Sequence, residues 1–254
     1  MSRCRFADGF DIHMLIEMVP KRKRAYVIVL FAAVIVCWLK ILLWNLPLPI
    51  LNNQRYYRGA SMKVVVTVFY ESLCPDSKYF LTKQLLPTFK VAESIMEVQL
   101  APYGKARQNE LNGKISFNCQ HGPTECQANI YHACATKIIE DPLLRLQVIT
   151  CMIRDNRVPQ DAMHKCAKQH NIDDTLIQKC FDSNQGLDLL KLNGEATHAL
   201  RPPVTFIPTI TIDGSQGRQA SILKDLFSEV CKAVSDVAEA ENICQNKTSY
   251  SLNI

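Results

Sequence analysis

Residues 64–90 read VVVTVFYESLCPDSKYFLTKQLLPTFK, a valine-rich run, a short turn holding one cysteine, and then apolar residues at helical spacing. Met62 to Tyr70 has the length and β-branched content of a buried strand. Phe80, Leu81, Leu85 and Phe89 recur at intervals that predict a helix over 78–90. Met96 to Pro102 reads as a second strand. Together they predict a βαβ unit with the right-handed crossover that parallel strands require, and so an α/β fold.

The turn in that stretch is where chemistry is expected. A cysteine at the first turn of a helix faces unpaired backbone N–H groups and the positive end of the helix dipole. Both favour thiolate over thiol, and thiolate is the species that attacks disulfides. Pro75 suits the first helical position because its missing N–H is no loss there. Asp76 opposes the effect, since a nearby carboxylate disfavours a second negative charge. Three positions after Cys74, where a redox pair would carry its second sulfur, stands Ser77. Its hydroxyl can hydrogen-bond the Cys74 sulfur but cannot form an internal disulfide. The alternative for Cys74 is an ordinary disulfide role.

The rest of the chain sets the compartment. It has 254 residues and a net charge of +5, of which +4 lies in residues 1–44. The remainder is nearly neutral, and nothing points to nucleic acid. A basic N-terminal segment, 1–24, ends in Lys21-Arg22-Lys23-Arg24 and precedes the apolar run 25–44, AYVIVLFAAVIVCWLKILLW. Such a run is a signal anchor or a signal peptide. Counted through Trp44 it reaches the roughly 20 residues that a bilayer needs. If uncleaved, it makes the chain a type II membrane protein; either way, residues 45–254 lie outside the cytosol. Nine cysteines follow it, a density expected of an oxidising lumen. Nine is odd, so at least one lacks an intramolecular partner, and Cys74 is the natural candidate. The other eight are Cys119, Cys126, Cys134, Cys151, Cys166, Cys180, Cys231 and Cys244. Asn246-Lys247-Thr248 is a glycosylation sequon.

Residues 45–61 read as a linker, 62–244 as the folded domain and 245–254 as a tail. Within the domain, about 118–200 is helical in pattern and reads as an inserted bundle. Pro142 and Pro159 mark helix boundaries, and Thr124 and Gln127 are spaced as a capping box. Val204 to Ile212, VTFIPTITI, reads as a strand interrupted by Pro208. Ile222 to Val234 reads as one closing helix packed on the sheet. In a thioredoxin-like layout the strand opposite the active helix carries a cis proline beside the reactive sulfur, and Pro208 fits that role. A trans proline at a bulge is the alternative.

Residues 119–134 read CQHGPTECQANIYHAC. His121 and His132 lie among three cysteines, but the spacings are not those of a zinc knuckle, so no metal is expected. On a helix Cys126 and Cys134 are separated by a rise of roughly 12 Å, beyond the roughly 7 Å that a disulfide spans. Each must pair elsewhere. Cys166 and Cys180 lie on two short helices and can close a hairpin; other connectivities remain open.

Cys119, Gln120, His121, Gly122, Glu125, Cys126 and Asn129 resemble, at matching spacing, the signature of the gamma-interferon-inducible lysosomal thiol reductases, the GILT family. The resemblance runs from about Met62 to Cys244. It implies a thioredoxin-like fold with an inserted, disulfide-stapled helical subdomain, in a lysosomal or secreted protein that reduces substrate disulfides at acidic pH. The family's reactive sulfur maps onto Cys74, and many members have a second cysteine where this chain has Ser77. The expected activity is that of a single-cysteine oxidoreductase on disulfide-containing proteins. It would need no bound cofactor, only an external thiol such as cysteine or glutathione. The rival is a non-catalytic module that traps or scaffolds clients.

Overall fold

Strand β1 (Val64–Tyr70) is the centre of a three-stranded sheet. On one side it pairs in parallel with β2 (Met96–Pro102), with Val66 opposite Val98 and Val68 opposite Leu100. Being central, β1 is buried along most of its length, which is why it reads as a valine run rather than as an alternation. The computed structural model describes residues 32–40, 63–234 and 238–245.

The crossover from β1 to β2 is a continuous helical rod. It starts as α1 (Pro75–Tyr79), passes through a π-helical stretch (Phe80–Leu85) and ends as α2 (Leu86–Ala92). Pro87 has no N–H to offer the carbonyl of Lys83, and its ring crowds that carbonyl. The wider π turn just upstream, in which Leu86 donates to Leu81, takes up the mismatch. The four expected apolar positions, Phe80, Leu81, Leu85 and Phe89, are all buried.

After β2 comes a hairpin, β3 (Arg107–Leu111) and β4 (Lys114–Asn118), that no apolar pattern announces. Five helices follow: α3 (Pro123–Ile138), α4 (Pro142–Arg154), α5 (Pro159–Gln169), α6 (Thr175–Phe181) and α7 (Asn184–Ala199). Helix α3 is buried on almost every side, as the axis of this subdomain must be. Its N-cap is Gly122 at φ 85°, so the expected capping box at Thr124 does not form; Pro123 already occupies the first helical position.

Strand β5 (Thr209–Ile212) returns antiparallel to β1. It is shorter than the expected strand 204–212, because the Ile207–Pro208 peptide bond is cis and the chain joins the sheet only after it. The expected closing helix is two, α8 (Gln219–Lys224) and α9 (Leu226–Ala233). The break falls at Asp225, whose carboxylate accepts from Ser228 N at 3.0 Å and caps the second helix. Helix α10 (Ala238–Gln245) ends the described chain. A βαβ unit, an antiparallel strand entered through a cis proline, and a helical subdomain between them make a thioredoxin-like α/β fold.

Four disulfides staple it: Cys119–Cys126, Cys134–Cys180, Cys151–Cys166 and Cys231–Cys244. The expected Cys166–Cys180 hairpin bond is absent. Cys180 on α6 faces the central helix α3, where it meets Cys134, and Cys166 on α5 faces α4, where it meets Cys151. Cys74 and Cys37 are the free cysteines among the described residues.

Residues 32–40 are helical and exposed. Among the described residues no helix is long and apolar enough to cross a membrane, so the expected anchor has no support there. The rest of the 25–44 run, the linker 45–61, Asn246 and the end of the tail lie outside the described residues.

Candidate active site

The turn Glu71-Ser72-Leu73 carries the chain from β1 to Cys74, which is the N-cap of the rod, with Pro75 at its first position. The Cys74 side chain keeps 8 % of its exposure, and its thiol donates to the carbonyl of Ile207 at 3.9 Å. The residue before the cis proline therefore sits against the sulfur, bringing Cys74 and Pro208 to one place. Asp76 is exposed. Ser77 is fully buried, and its hydroxyl accepts a hydrogen bond from Glu71 N at 3.3 Å, so it engages the turn rather than the sulfur.

Two side-chain clusters hold the turn. In the first, Glu71 is buried and Oε1 accepts from Lys105 N at 2.8 Å. Its Oε2 lies 3.5 Å from His121 Nδ1, and that nitrogen is 2.6 Å from Oε2 of the buried Glu125. Glu125 Oε1 also accepts from His121 N at 3.1 Å. His121, just before the α3 cap, and Glu125 in its first turn are thus linked twice, and both reach the turn before Cys74. Burial raises the Glu71 carboxyl above its ordinary range; the Lys105 N–H opposes this and Glu125 adds to it. Gly104, at φ 63°, lies against this carboxylate, since a Cβ there would sit 2.1 Å from Glu71 Cγ. Glu71, His121 and Glu125 bring metal-ligand atoms within 4.8 Å of one another. Protein donors already engage these oxygens.

The second cluster lies behind Ser72. Asn129 Oδ1 accepts from Ser72 N at 2.9 Å, and Asn156 Nδ2 donates to Ser72 O at 3.2 Å. Asn156 Nδ2 also lies 2.9 Å from His132 Nε2, and His132 Nδ1 lies 2.9 Å from the hydroxyl of Tyr70. All five residues are buried. Burial pulls the His132 imidazole down to about 3.

That depression makes a prediction. Unfolded, His132 binds a proton below about 6.5, while the native imidazole stays neutral until about 3. Its contribution is therefore complete above 6.5 and is lost as pH falls through this window, by about 1.4 kcal/mol per unit. Glu71, whose carboxyl is raised, acts in the opposite sense, adding stability at low pH. Denaturant unfolding should show a shallower loss of stability between pH 6.5 and 4 in His132→Gln than in the wild type. Equal slopes would refute it.

Of the signature residues, Cys119 and Cys126 bond to each other, Gly122 caps α3, and His121, Glu125 and Asn129 reach the turn. Gln120 is exposed. Beyond the signature, Glu71, Gly104, His132 and Asn156 belong to the site. Of these, Glu71 had a signal as a charge set directly after a buried strand, and His132 stood out only as a histidine among cysteines. Beside the turn opens a cavity of about 200 Å³ lined in part by Leu73, Lys78, Arg154 and Asn156.

Residues 65–170 match the family model described as "Gamma interferon inducible lysosomal thiol reductase (GILT)". The chain is 34 % identical over 197 residues to the gamma-interferon-inducible lysosomal thiol reductase of Carassius auratus, covering 75 % of this chain and 77 % of that one. It is 30 % identical over 208 residues to GILT-like protein 1 of Drosophila melanogaster, covering 76 % and 82 %. Among solved structures it is similar to Chlamydia trachomatis DsbA, with a TM-score of 0.48 and 15 % identity over 68 % of this chain and 86 % of that one.

Proposed function

The chain belongs to the gamma-interferon-inducible lysosomal thiol reductase family, and we propose that it is a thiol–disulfide oxidoreductase of the secretory or lysosomal lumen that works through Cys74 alone. The observation that carries this reading is a free sulfur at the start of the rod, beside a cis proline, while the eight cysteines after it are bonded in pairs. Four disulfides also favour an oxidising compartment.

The Cys74 thiolate attacks one sulfur of a substrate disulfide. A Cys74–substrate disulfide forms, the old S–S bond breaks, and the departing thiolate takes a proton. Ser77 offers no second sulfur, so an external thiolate must attack the mixed disulfide, freeing Cys74 and taking the substrate sulfur. A second external thiol then releases that sulfur. In sum, the substrate disulfide gains two electrons and two external thiols become a disulfide. No bound cofactor is required.

The test follows reduction of a urea-unfolded, disulfide-bonded protein near pH 5 as a function of added cysteine. Turnover should rise with cysteine and stop without it, leaving substrate attached at Cys74. Sustained turnover without added thiol would overturn the single-sulfur mechanism.

A further inference from the structure

We infer that Asn129, His132 and Asn156 are positioning residues that hold the backbone on both sides of Ser72, and through it the Cys74 sulfur, in the geometry for attack on a disulfide. The inference rests on Cys74 being the attacking group.

Neither backbone polar group of Ser72, the N–H of the peptide before it or the carbonyl of the peptide after it, is held by the sheet. Its N–H goes to Asn129 on α3, and its carbonyl is met by Asn156 in the α4–α5 connection. The inserted subdomain therefore grips the residue two positions before the nucleophile from both sides. The orientation of the Asn156 amide is determined by its partner: turned over, it would set Oδ1 against the Ser72 oxygen, acceptor against acceptor. With Nδ2 facing Ser72, the same nitrogen presents its second hydrogen to His132 Nε2, so Nε2 must accept. The imidazole proton is then on Nδ1 and is donated to the Tyr70 hydroxyl oxygen. Tyr70 ends β1, two residues before Ser72, so the chain of bonds leaves the strand and returns to the turn as a closed ring. A neutral imidazole in one tautomer is what that ring requires, and burial keeps it neutral.

The ring does not look optimised for stability. Ser72 Oγ, Asn129 Nδ2 and Asn156 Oδ1 are buried without a protein partner, and burying such groups unpaired is destabilising. Apolar side chains would pack the same space without that cost but could not fix the two peptide planes that flank Ser72. Placement matters here because an error of about 1 Å in the reacting atoms can cost about 100-fold in rate.

The experiment measures the reaction of Cys74 with dithiodipyridine at pH 5, per folded molecule, in a Cys4→Ala/Cys37→Ala background. Asn129→Ala and Asn156→Ala should slow it tenfold or more. Asn129→Asp, which keeps an oxygen for Ser72 N, should recover at least half the wild-type rate. Thr150→Val removes a buried hydroxyl bonded only within α4 and should leave the rate within twofold. A purely structural role would lower stability in all of them and spare the rate. Imidazole ¹⁵N shifts of the wild type should show a protonated Nδ1 and a bare Nε2 throughout pH 5–7, a readout that survives even if the alanine variants do not fold. Rates within twofold in both alanine variants, no recovery in Asn129→Asp, or a proton on Nε2 would overturn the inference. Cys74→Ala separates the two levels: if it reacts like the background protein, the sulfur assignment has failed, not the clamp.

Discussion

Cys74→Ala should lose at least about 10³-fold in disulfide reduction, because nothing else in the site can form the covalent intermediate. Cys74 is small and retains 8 % exposure, so its truncation should cost no more than about 1 kcal/mol of stability. The neighbouring bonds that shape the turn do not pass through its sulfur: Ser77 to Glu71, Asn129 and Asn156 to Ser72, and Lys105 to Glu71. The loss would thus report chemistry rather than unfolding. Cys37 is the other free cysteine among the described residues, and it is exposed. Cys37→Ala should leave reduction within twofold, which rules out an adventitious surface thiol as the source of activity. The check is turnover near pH 5 with saturating cysteine, alongside thermal melting. More than a tenth of the activity surviving in Cys74→Ala would remove the sulfur from the mechanism and leave the fold intact.

How far this site can be read from sequence depends on whether its parts are local. The rod is periodic and its four expected apolar positions are buried, while β1 is legible as a β-branched run that is buried along most of its length. Cys74 and Pro208 are each legible as a local oddity, a lone sulfur after a strand and a proline within one. The β3–β4 hairpin was missed because its strands are mostly exposed and polar, although Asn112-Gly113, both at positive φ, is a strong hairpin turn. The Asp225 break was also in principle visible, as an aspartate three residues before a serine inside an apolar pattern. The clamp behind Ser72 was not. Asn156 and His132 are 24 residues apart and meet only because α3 and α4 pack together. Nothing in the spacing of either marks it. The disulfides fall between these cases: parity pointed to a lone cysteine, but pairing depends on which face of α3 each helix covers.

Ser77→Cys should convert the site into one that ejects its own substrate. Positions 74 and 77 are one helical turn apart, close enough for side chains to meet, and a disulfide across such a turn is within reach of ordinary Cα separations. In the wild type the mixed disulfide waits for an external thiol, and its lifetime should shorten in proportion to thiol concentration. In the variant the introduced thiol attacks the Cys74 sulfur from within, at an effective concentration that for well-placed groups exceeds any external thiol by orders of magnitude. One substrate disulfide per pre-reduced molecule should then be reduced without added thiol, and the trapped adduct should fall at least tenfold. A cost is expected too. Ser77 is fully buried and its hydroxyl accepts from Glu71 N. Sulfur is a poorer acceptor, so stability should drop by about 1 kcal/mol. Single-turnover reduction followed by acid quench and mass measurement decides between the outcomes. If the adduct at Cys74 persists as long as in the wild type while the two thiols are shown to be free, the helix start does not present its third residue to the sulfur. The Ser77 position would then be a support for the turn, and not the place of a missing resolving thiol.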